Sequence, residues 1–301
     1  MTMQYVIFGI LIIAAFMVDL WAHRKGNDPS FKEALAWTCV WVGLALGFNV
    51  YVALTQGSHQ GMNFLMGYIV ELSLSVDNLF VMMVIFAYFK VPKRLQHTVL
   101  FWGILGAFVM RGIFIIVGVA LVQKFHFMMY IFGLFLVYTG IKTALEKKQD
   151  IDPQQNPILR GLRKLVPVTE DYEGDRFFVR RAGRLFITPL MVTVIIMEVT
   201  DLIFAVDSIP AILGITTDPF IVATSNFFAI LGLRSLYFVL HRFLAYFKYL
   251  KYGLGFILSF VGLKMVLVDF IHIPILLSLA IVVGTLMLTM MVSLWERPKF
   301  K

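Results

Sequence analysis

Cysteine is nearly absent. Cys39 stands alone among 301 residues, so no disulfide can form within the chain and cysteine usage says nothing about redox compartment. Charge is scarce as well: acidic and basic residues make up 15%, against about 25% in average soluble chains. Also missing are a glycine loop that could cradle phosphate, a Ser/His/Asp set and the Cys/His spacing of a metal finger, so the chain is not expected to be an enzyme. What fills the space is apolar, with 60% hydrophobic residues and a mean hydropathy of +0.85. A globule of this length has too little interior to hide that surface, and the remainder must face lipid. Disordered, collagenous, coiled-coil and disulfide-stapled classes are excluded on the same figures.

A helical span needs ~20 apolar residues. Nine segments qualify, at 3–22, 34–54, 62–89, 97–122, 126–145, 185–214, 219–241, 250–270 and 273–295. The first has no basic residue ahead of it, Arg24 and Lys25 behind it, and no small-residue cleavage site, so it reads as a retained span rather than a signal peptide. Of the 26 basic residues, 22 fall at or after the ends of spans 1, 3, 5, 7 and 9. Lys124 alone falls on the other side, and Arg111, Arg234 and Lys264 lie within spans. Positive charge stays cytoplasmic, which places the N-terminus outside and the C-terminus in the cytoplasm. The formal net charge of +8 is therefore a topology signal and not the mark of a nucleic-acid partner.

Two stretches repeat. Glu71-Leu-Ser-Leu-Ser-Val-Asp77-Asn78 in span 3 aligns with Asp201-Leu-Ile-Phe-Ala-Val-Asp207-Ser208 in span 6 at an offset of 130. Arg111 aligns with Arg234 at 123, and Gly133, Gly140 and Lys142 align with Gly255, Gly262 and Lys264 at 122. Spans 3–5 and 6–8 thus read as two copies of one unit. Three is odd, so the copies enter from opposite faces, as in many secondary transporters whose site lies near the midplane between copies. The expected fold is an all-α polytopic membrane protein of about nine transmembrane helices with two inverted-topology three-helix repeats. Residues 1–61 carry two N-terminal helices, 62–145 the first repeat, 146–184 a cytoplasmic loop, 185–270 the second repeat, and 271–301 a C-terminal helix with a short cytoplasmic tail.

Apart from Asp269 at the very end of span 8, six of the 18 acids fall inside the spans: Asp19, Glu71, Asp77, Glu198, Asp201 and Asp207. A carboxylate at the bilayer centre costs ~2.5–3.5 kcal/mol on insertion scales, so each needs a reason. Asp19 sits one turn from the inner end of span 1 and can reach the headgroups. The other five lie in the two helices that open the repeats. Glu71 and Asn78, seven apart, share a helix face, and Glu198 and Asp201, three apart, are neighbours. Pro210, with Ser208 just before it, suggests a break in span 6 that would expose backbone carbonyls.

These carboxylates, the Asn78 amide and the hydroxyls of Ser73, Ser75, Thr200 and Ser208 are hard oxygen donors, suited to Mg²⁺, Ca²⁺ or Mn²⁺. The six histidines fall at loops or span ends. A structural network is the competing reading, with Glu71 or Asp207 tied to Arg111 or Arg234. Five acids against two arginines and Lys264 leave charge over, which a metal ion or bound protons must balance. The same set could exchange protons for metal. A function of another class is a membrane scaffold or stress-response protein that gathers partners through the 146–184 loop, where Asp171 to Arg181 forms either an amphipathic hairpin or a solvated run. Asn49 and Asn226 are polar enough to hydrogen-bond across helices.

Glu198-Val-Thr-Asp201-Leu-Ile-Phe-Ala-Val-Asp207-Ser208-Ile-Pro-Ala resembles the signature of the TerC family of integral membrane proteins. The stretch from Glu71 to Asn78 is similar to that family's first copy, and Thr224-Ser-Asn226-Phe-Phe-Ala-Ile-Leu-Gly-Leu-Arg234-Ser-Leu-Tyr-Phe is also TerC-like. The similarity covers nearly the whole chain, and the layout with its long loop looks closest to the Alx branch. The family takes its name from tellurium resistance. The resemblance implies a multi-pass protein of the bacterial inner membrane that exports Mn²⁺. It also implies that Glu71, Asp77, Asn78, Glu198, Asp201, Asp207 and Ser208 handle the metal. Mn²⁺ would be cargo, with no organic cofactor, and protons are the candidate counter-ions.

Overall fold

In the computed structural model, residues 2–22, 30–145, 166–181, 184–241, 249–271 and 273–295 are described. Ten helices and one hairpin appear among them. In chain order they are α1 (Thr2–Ala22), α2 (Phe31–Gln56), α3 (Ser58–Tyr88), α4 (Lys93–Lys124), α5 (Met128–Leu145), β1 (Phe178–Arg181), β2 (Arg184–Ile187), α6 (Pro189–Leu213), α7 (Pro219–Leu231), α8 (Leu233–Leu240), α9 (Leu250–Val266) and α10 (Ile275–Trp295). Among the described residues, six helices are long and apolar enough to cross a membrane, or seven if α7 and α8, bent by 45° at Gly232, form one span. The chain is an all-α multi-pass membrane protein on this evidence. Helices stand at each of the nine expected segments among the described residues, with α9 at 17 residues the short one.

Local chemistry sets the helix starts. Ser30 opens α2 with a capping box: its hydroxyl accepts from the Glu33 amide, and the Glu33 carboxylate accepts from the Ser30 amide at 2.7 Å. Thr188 and Asp218 cap α6 and α7, each followed by a proline at the first helical position, where its missing N–H costs nothing. Gly57, at φ +95°, turns the chain between α2 and α3.

Three expectations are corrected. The sixth span does not begin at residue 185: residues 184–187 are a strand, paired antiparallel with 178–181, and α6 starts after the Thr188 cap. The hairpin therefore straddles the 184/185 boundary drawn from composition. Nor does α6 break near Ser208, for it runs unbroken through Pro210 to Leu213. The proline falls in the last turn, where its own carbonyl still accepts from the Gly214 amide at 3.0 Å. The break occurs one helix later, at Gly232. Finally, His97 is not at a loop edge but buried within α4.

Packing depends on glycine at one contact above all. α5 and α9 cross backbone to backbone. A Cβ on Gly133 would stand 2.7 Å from the Gly262 carbonyl, and one on Gly262 would stand 2.5 Å from the Gly133 carbonyl. Gly140 and Gly255 meet in the same reciprocal way, each 2.5 Å from the other's oxygen by that measure. Small residues allow such close approach in lipid, where dispersion rather than water expulsion holds helices together. Elsewhere α3 packs on α7 as α4 packs on α6. Gly67 of α3 takes Ser225 of α7, and Gly103 of α4 takes Met197 of α6.

The two ends of the bundle differ. At one end the start of α1 and the connections α2–α3, α6–α7 and α9–α10, with the end of α4, wall a vestibule of about 1030 Å³. These are the places that the basic-residue count puts outside. At the opposite end, residues 166–181 and 184–188 fold back onto the bundle. The Tyr172 hydroxyl donates to the Phe89 carbonyl at 2.9 Å, Phe177 packs edge-on against Trp102, and Ile187 joins Ile85, Val192 and Ile196 in a small core. Of the loop that was expected at 146–184, residues 146–165, 182 and 183 lie outside the described set.

Candidate functional site

The acidic motifs converge where α3, α4 and α6 meet. Arg111 of α4 is wholly buried and holds two carboxylates at once. Its Nη1 pairs with Glu71 of α3, while its Nε and Nη2 donate to the two oxygens of Asp201 on α6 at 3.2 and 3.0 Å. The bidentate fork fits guanidinium geometry. Asn78 completes the group, its amide oxygen accepting from Arg111 Nη2 at 3.0 Å and its nitrogen donating to the Leu74 carbonyl at 3.2 Å. Glu71 Oε2 has no hydrogen-bond partner among the described residues. Removing two acids and one arginine from water leaves one negative charge in excess at this point, before any other acid is counted.

Beside this triad lies a cavity of about 60 Å³ lined by Leu74, Asn78, Thr143, Phe204, Ser208, Leu254 and Leu258. That is room for more than one water-sized particle. Two pairs of its lining residues, Leu74 with Phe204 and Asn78 with Ser208, occupy aligned positions of the two acidic motifs. The hydroxyls expected as donors divide in two. Ser73 and Thr200 spend theirs on the carbonyls of Ile69 and Ile196 in their own helices, at 2.6 and 2.7 Å. Ser75 and Ser208 are buried with no partner among the described residues. The latter pair are the ones still able to serve a ligand.

Glu198 is half-buried one turn before Asp201, and its carboxylate lies directly over Gly106 of α4, where no side chain intervenes. Asp77 and Asp207 are placed on α3 and α6 by the backbone, but their side chains, like that of Asp19, lie outside the described residues. Among the described residues no group of three or more His, Cys, Asp and Glu is set to hold a metal ion. The structure thus brings Glu71, Asn78 and Asp201 together through Arg111, with Ser208 across the cavity and Glu198 nearby. Sequence reasoning named Arg111 only as one possible tether among two arginines. Its equivalent, Arg234, lies buried on α8 with Nη2 3.3 Å from Nδ1 of the buried His97. Asn226, in α7, is buried with both amide atoms unpartnered among the described residues.

The vestibule has a mixed lining, with Gln4, Gln56, His59, Gln60, Asn63 and Gln123 set among apolar residues such as Leu213, Ile215, Phe220 and Ile275. Asn63 donates to Gln60 at 3.0 Å, and Gln60 reaches Asp218 at 3.4 Å. Asp218 in turn accepts from the amides of Phe220 and Ile221 at the start of α7.

Comparison with known proteins agrees with the membrane architecture. The model of the family described as "Integral membrane protein TerC family" matches residues 56–301. A protein of Salmonella typhi named "Putative membrane-bound redox modulator Alx" is 46% identical over 298 residues, covering 96% of this chain and 92% of that one. Its namesake in Escherichia coli K12 is also 46% identical, with 96% and 93% covered. An uncharacterized membrane protein of Myxococcus xanthus, STKORF319, is 45% identical over 288 residues, with 95% and 90% covered. No solved structure matches the chain.

Proposed function

The chain belongs to the TerC family of integral membrane proteins, and on that footing we propose that it is a secondary transporter exporting divalent cations, Mn²⁺ foremost, from the bacterial cytoplasm. One observation carries this reading. Aligned positions of the two acidic motifs, Glu71 with Asp201 and Asn78 with Ser208, gather around one buried point between α3 and α6. Buried carboxylates inside a membrane bundle mark ion pathways and proton relays, and oxygen donors suit hard cations.

The rest of the reading follows the same lines. Nine helices cross the inner membrane, α1 and α9 included, with the N-terminus and the vestibule outside and residues 166–188 in the cytoplasm. α3–α5 and α6–α9 form two inverted repeats. Reciprocal contacts support that duplication: Gly133 on Gly262 and Gly140 on Gly255, and Gly67 on Ser225 answered by Gly103 on Met197. The cation leaves water, binds among Glu71, Asp77, Asn78, Glu198, Asp201, Asp207 and Ser208, and is released outward as the repeats rock. Protons returning to the carboxylates complete the exchange. The redox role in the enterobacterial relatives' name has no thiol pair to rest on here, since Cys39 is the sole cysteine.

Mn²⁺ uptake into everted vesicles tests the proposal. Wild type accumulates Mn²⁺, and Asp77→Asn and Asp207→Asn each abolish it; normal uptake by both variants would refute the site. A second reading, a scaffold whose acids only bind helices together, draws support from Arg111, which already pairs with two of them. Deleting most of residues 146–165 separates the two: a transporter keeps its flux in purified liposomes, whereas a scaffold has none and loses its co-purifying partners.

A further inference from the structure

The β1–β2 hairpin carries side chains that its own packing does not use. Four acids, Glu170, Asp171, Glu173 and Asp175, lie on the stretch leading into it, whereas residues 176–188 hold four arginines and no acid. Arg181 pairs with Glu173. Arg176, Arg180 and Arg184 are exposed, with no ion pair among the described residues. Beside them stand two large apolar side chains, Phe178 and Leu185, that are 51% and 50% exposed. The register sets Arg180 opposite Leu185 and Phe178 opposite Ile187, so these four share one face of the ribbon. Ile187 is the anchor, buried against Ile85, Val192 and Ile196. The other three are presented outward, and Arg176 and Arg184 flank them at the base and at the turn.

The height of the ribbon follows from α4. That helix has 32 residues, so at ~1.5 Å per residue it outruns a hydrocarbon core of ~30 Å by about 18 Å. Counting about 20 residues back from Lys124, at the vestibule end, reaches Ile104. Trp102 falls just past that point and is 45% exposed, the place and setting of an interfacial indole. Phe177 packs edge-on against Trp102, with ring centroids 5.9 Å apart, and β1 begins at the next residue. The ribbon therefore leaves the bundle beside a lipid-facing side chain, at the level of the headgroups. Lys90, Lys93 and Arg94, exposed at the α3–α4 connection, add positive charge to the same end.

We propose that the β1–β2 ribbon docks on the bilayer itself: Phe178 and Leu185 enter the boundary between headgroups and acyl chains, and Arg176, Arg180 and Arg184 bind the phosphates of anionic phospholipids. Apolar side chains interleaved with arginine are the chemistry of an interfacial element, and guanidinium groups fit phosphate better than they fit water. The charge selects the occupant, since clustered basic residues beside a span are drawn to anionic lipid. Thr188 and Pro189 join the ribbon to α6 without a spacer. A grip on the headgroups thus fixes the height at which α6, the helix of Glu198 and Asp201, enters the membrane. The inference stands apart from what the protein carries.

The test uses the whole chain in vesicles and reads depth, with no metal and no flux. Leu185→Cys in a Cys39→Ser background is labelled with bimane, an apolar fluorophore that stands in for the leucine. Its quenching by lipid bearing a headgroup nitroxide is measured in phosphatidylcholine vesicles, with and without phosphatidylglycerol in both leaflets. Quenching is expected to be several-fold stronger with phosphatidylglycerol. It should weaken in ~1 M salt, where the Debye length shrinks to about 3 Å. Arg180→Gln with Arg184→Gln, both at exposed positions, should bring it down to the level of phosphatidylcholine alone. Equal quenching in the two lipids, or quenching that ignores the double variant, overturns the proposal. So does a label shielded from the lipid nitroxide and from aqueous iodide alike, because the ribbon would then be covered by protein, residues 146–165 or a partner.

Discussion

Gly140 and Gly255 touch backbone to backbone: a Cβ on either would stand 2.5 Å from the other's carbonyl oxygen. The contact is reciprocal, and so is that of Gly133 with Gly262. It leaves α5 and α9 no way to accommodate a side chain except by moving apart. Gly255→Val is therefore expected to destabilise the protein by about 1–3 kcal/mol, the usual cost of overpacking. Thermal unfolding in detergent measures it, and Gly284→Val, at a position where a Cβ meets nothing within 4 Å, is the matched control.

Arg111 offers a sharper test of the buried charges. Removing it by Arg111→Met strands Glu71 and Asp201 with no counter-charge, which should cost about 3–5 kcal/mol. Neutralising the partners as well, in Arg111→Met with Glu71→Gln and Asp201→Asn, should recover most of that loss although three polar groups have changed. Melting temperature across the single, double and triple variants gives the coupling directly. A triple variant no more stable than the single one would mean that the acids do not depend on Arg111.

Gly106 separates stability from function. A methyl group there would land on the Glu198 carboxylate, the free end of a flexible side chain that can swing away. Gly106→Ala should change unfolding free energy by less than ~0.5 kcal/mol, as ordinary tolerated substitutions do, while lowering Mn²⁺ uptake by everted vesicles. Unchanged uptake would remove Glu198 from the cation path.

Tyr172 ties the 166–188 segment to the end of α3. Loss of its hydrogen bond to the Phe89 carbonyl in Tyr172→Phe is expected to weaken docking by ~0.5–1.5 kcal/mol, seen as faster proteolysis of this segment in the intact protein. Burial pushes the Tyr172 phenol above the usual tyrosine range, with a hydrogen bond to Thr193 opposing. A raised folded value means the protonated, donating form is favoured on docking. Its contribution is fully present below the ordinary tyrosine pKa and is lost as pH climbs through the raised one. Docking should thus be pH-independent near neutrality and fail in strong alkali in wild type alone.

Helix positions could be read from the chain because hydrophobic run length is a property of consecutive residues. So could the likeness of the two acidic motifs, and with it the expectation that Glu71 and Asp201 belong together. What could not be read were relations between residues far apart in sequence. Arg111 and Arg234 look alike in their motifs; which one meets the acids depends on how three helices cross. His97 is a span-end histidine by position and becomes a core residue because α4 extends a turn farther than its apolar run. Pro210 suggested a break, yet a proline in the final turn disturbs few bonds, while Gly232, an ordinary glycine in sequence, is where the chain bends. The hairpin's second strand, Arg184–Ile187, was absorbed into the next span because Leu185, Phe186 and Ile187 are apolar.

The vestibule has one further consequence. Among the described residues its lining holds one carboxylate, Asp218, and one ammonium, Lys264, which cancel in formal charge, and Asp218 is already occupied by the amides that start α7. Amide side chains do the rest of the wetting. A mouth with balanced lining charges favours neither sign of ion by charge count, and the concentrated negative charge lies at the carboxylates deeper in the bundle. If the proposed export holds, such neutrality means that a departing cation is not held at the rim.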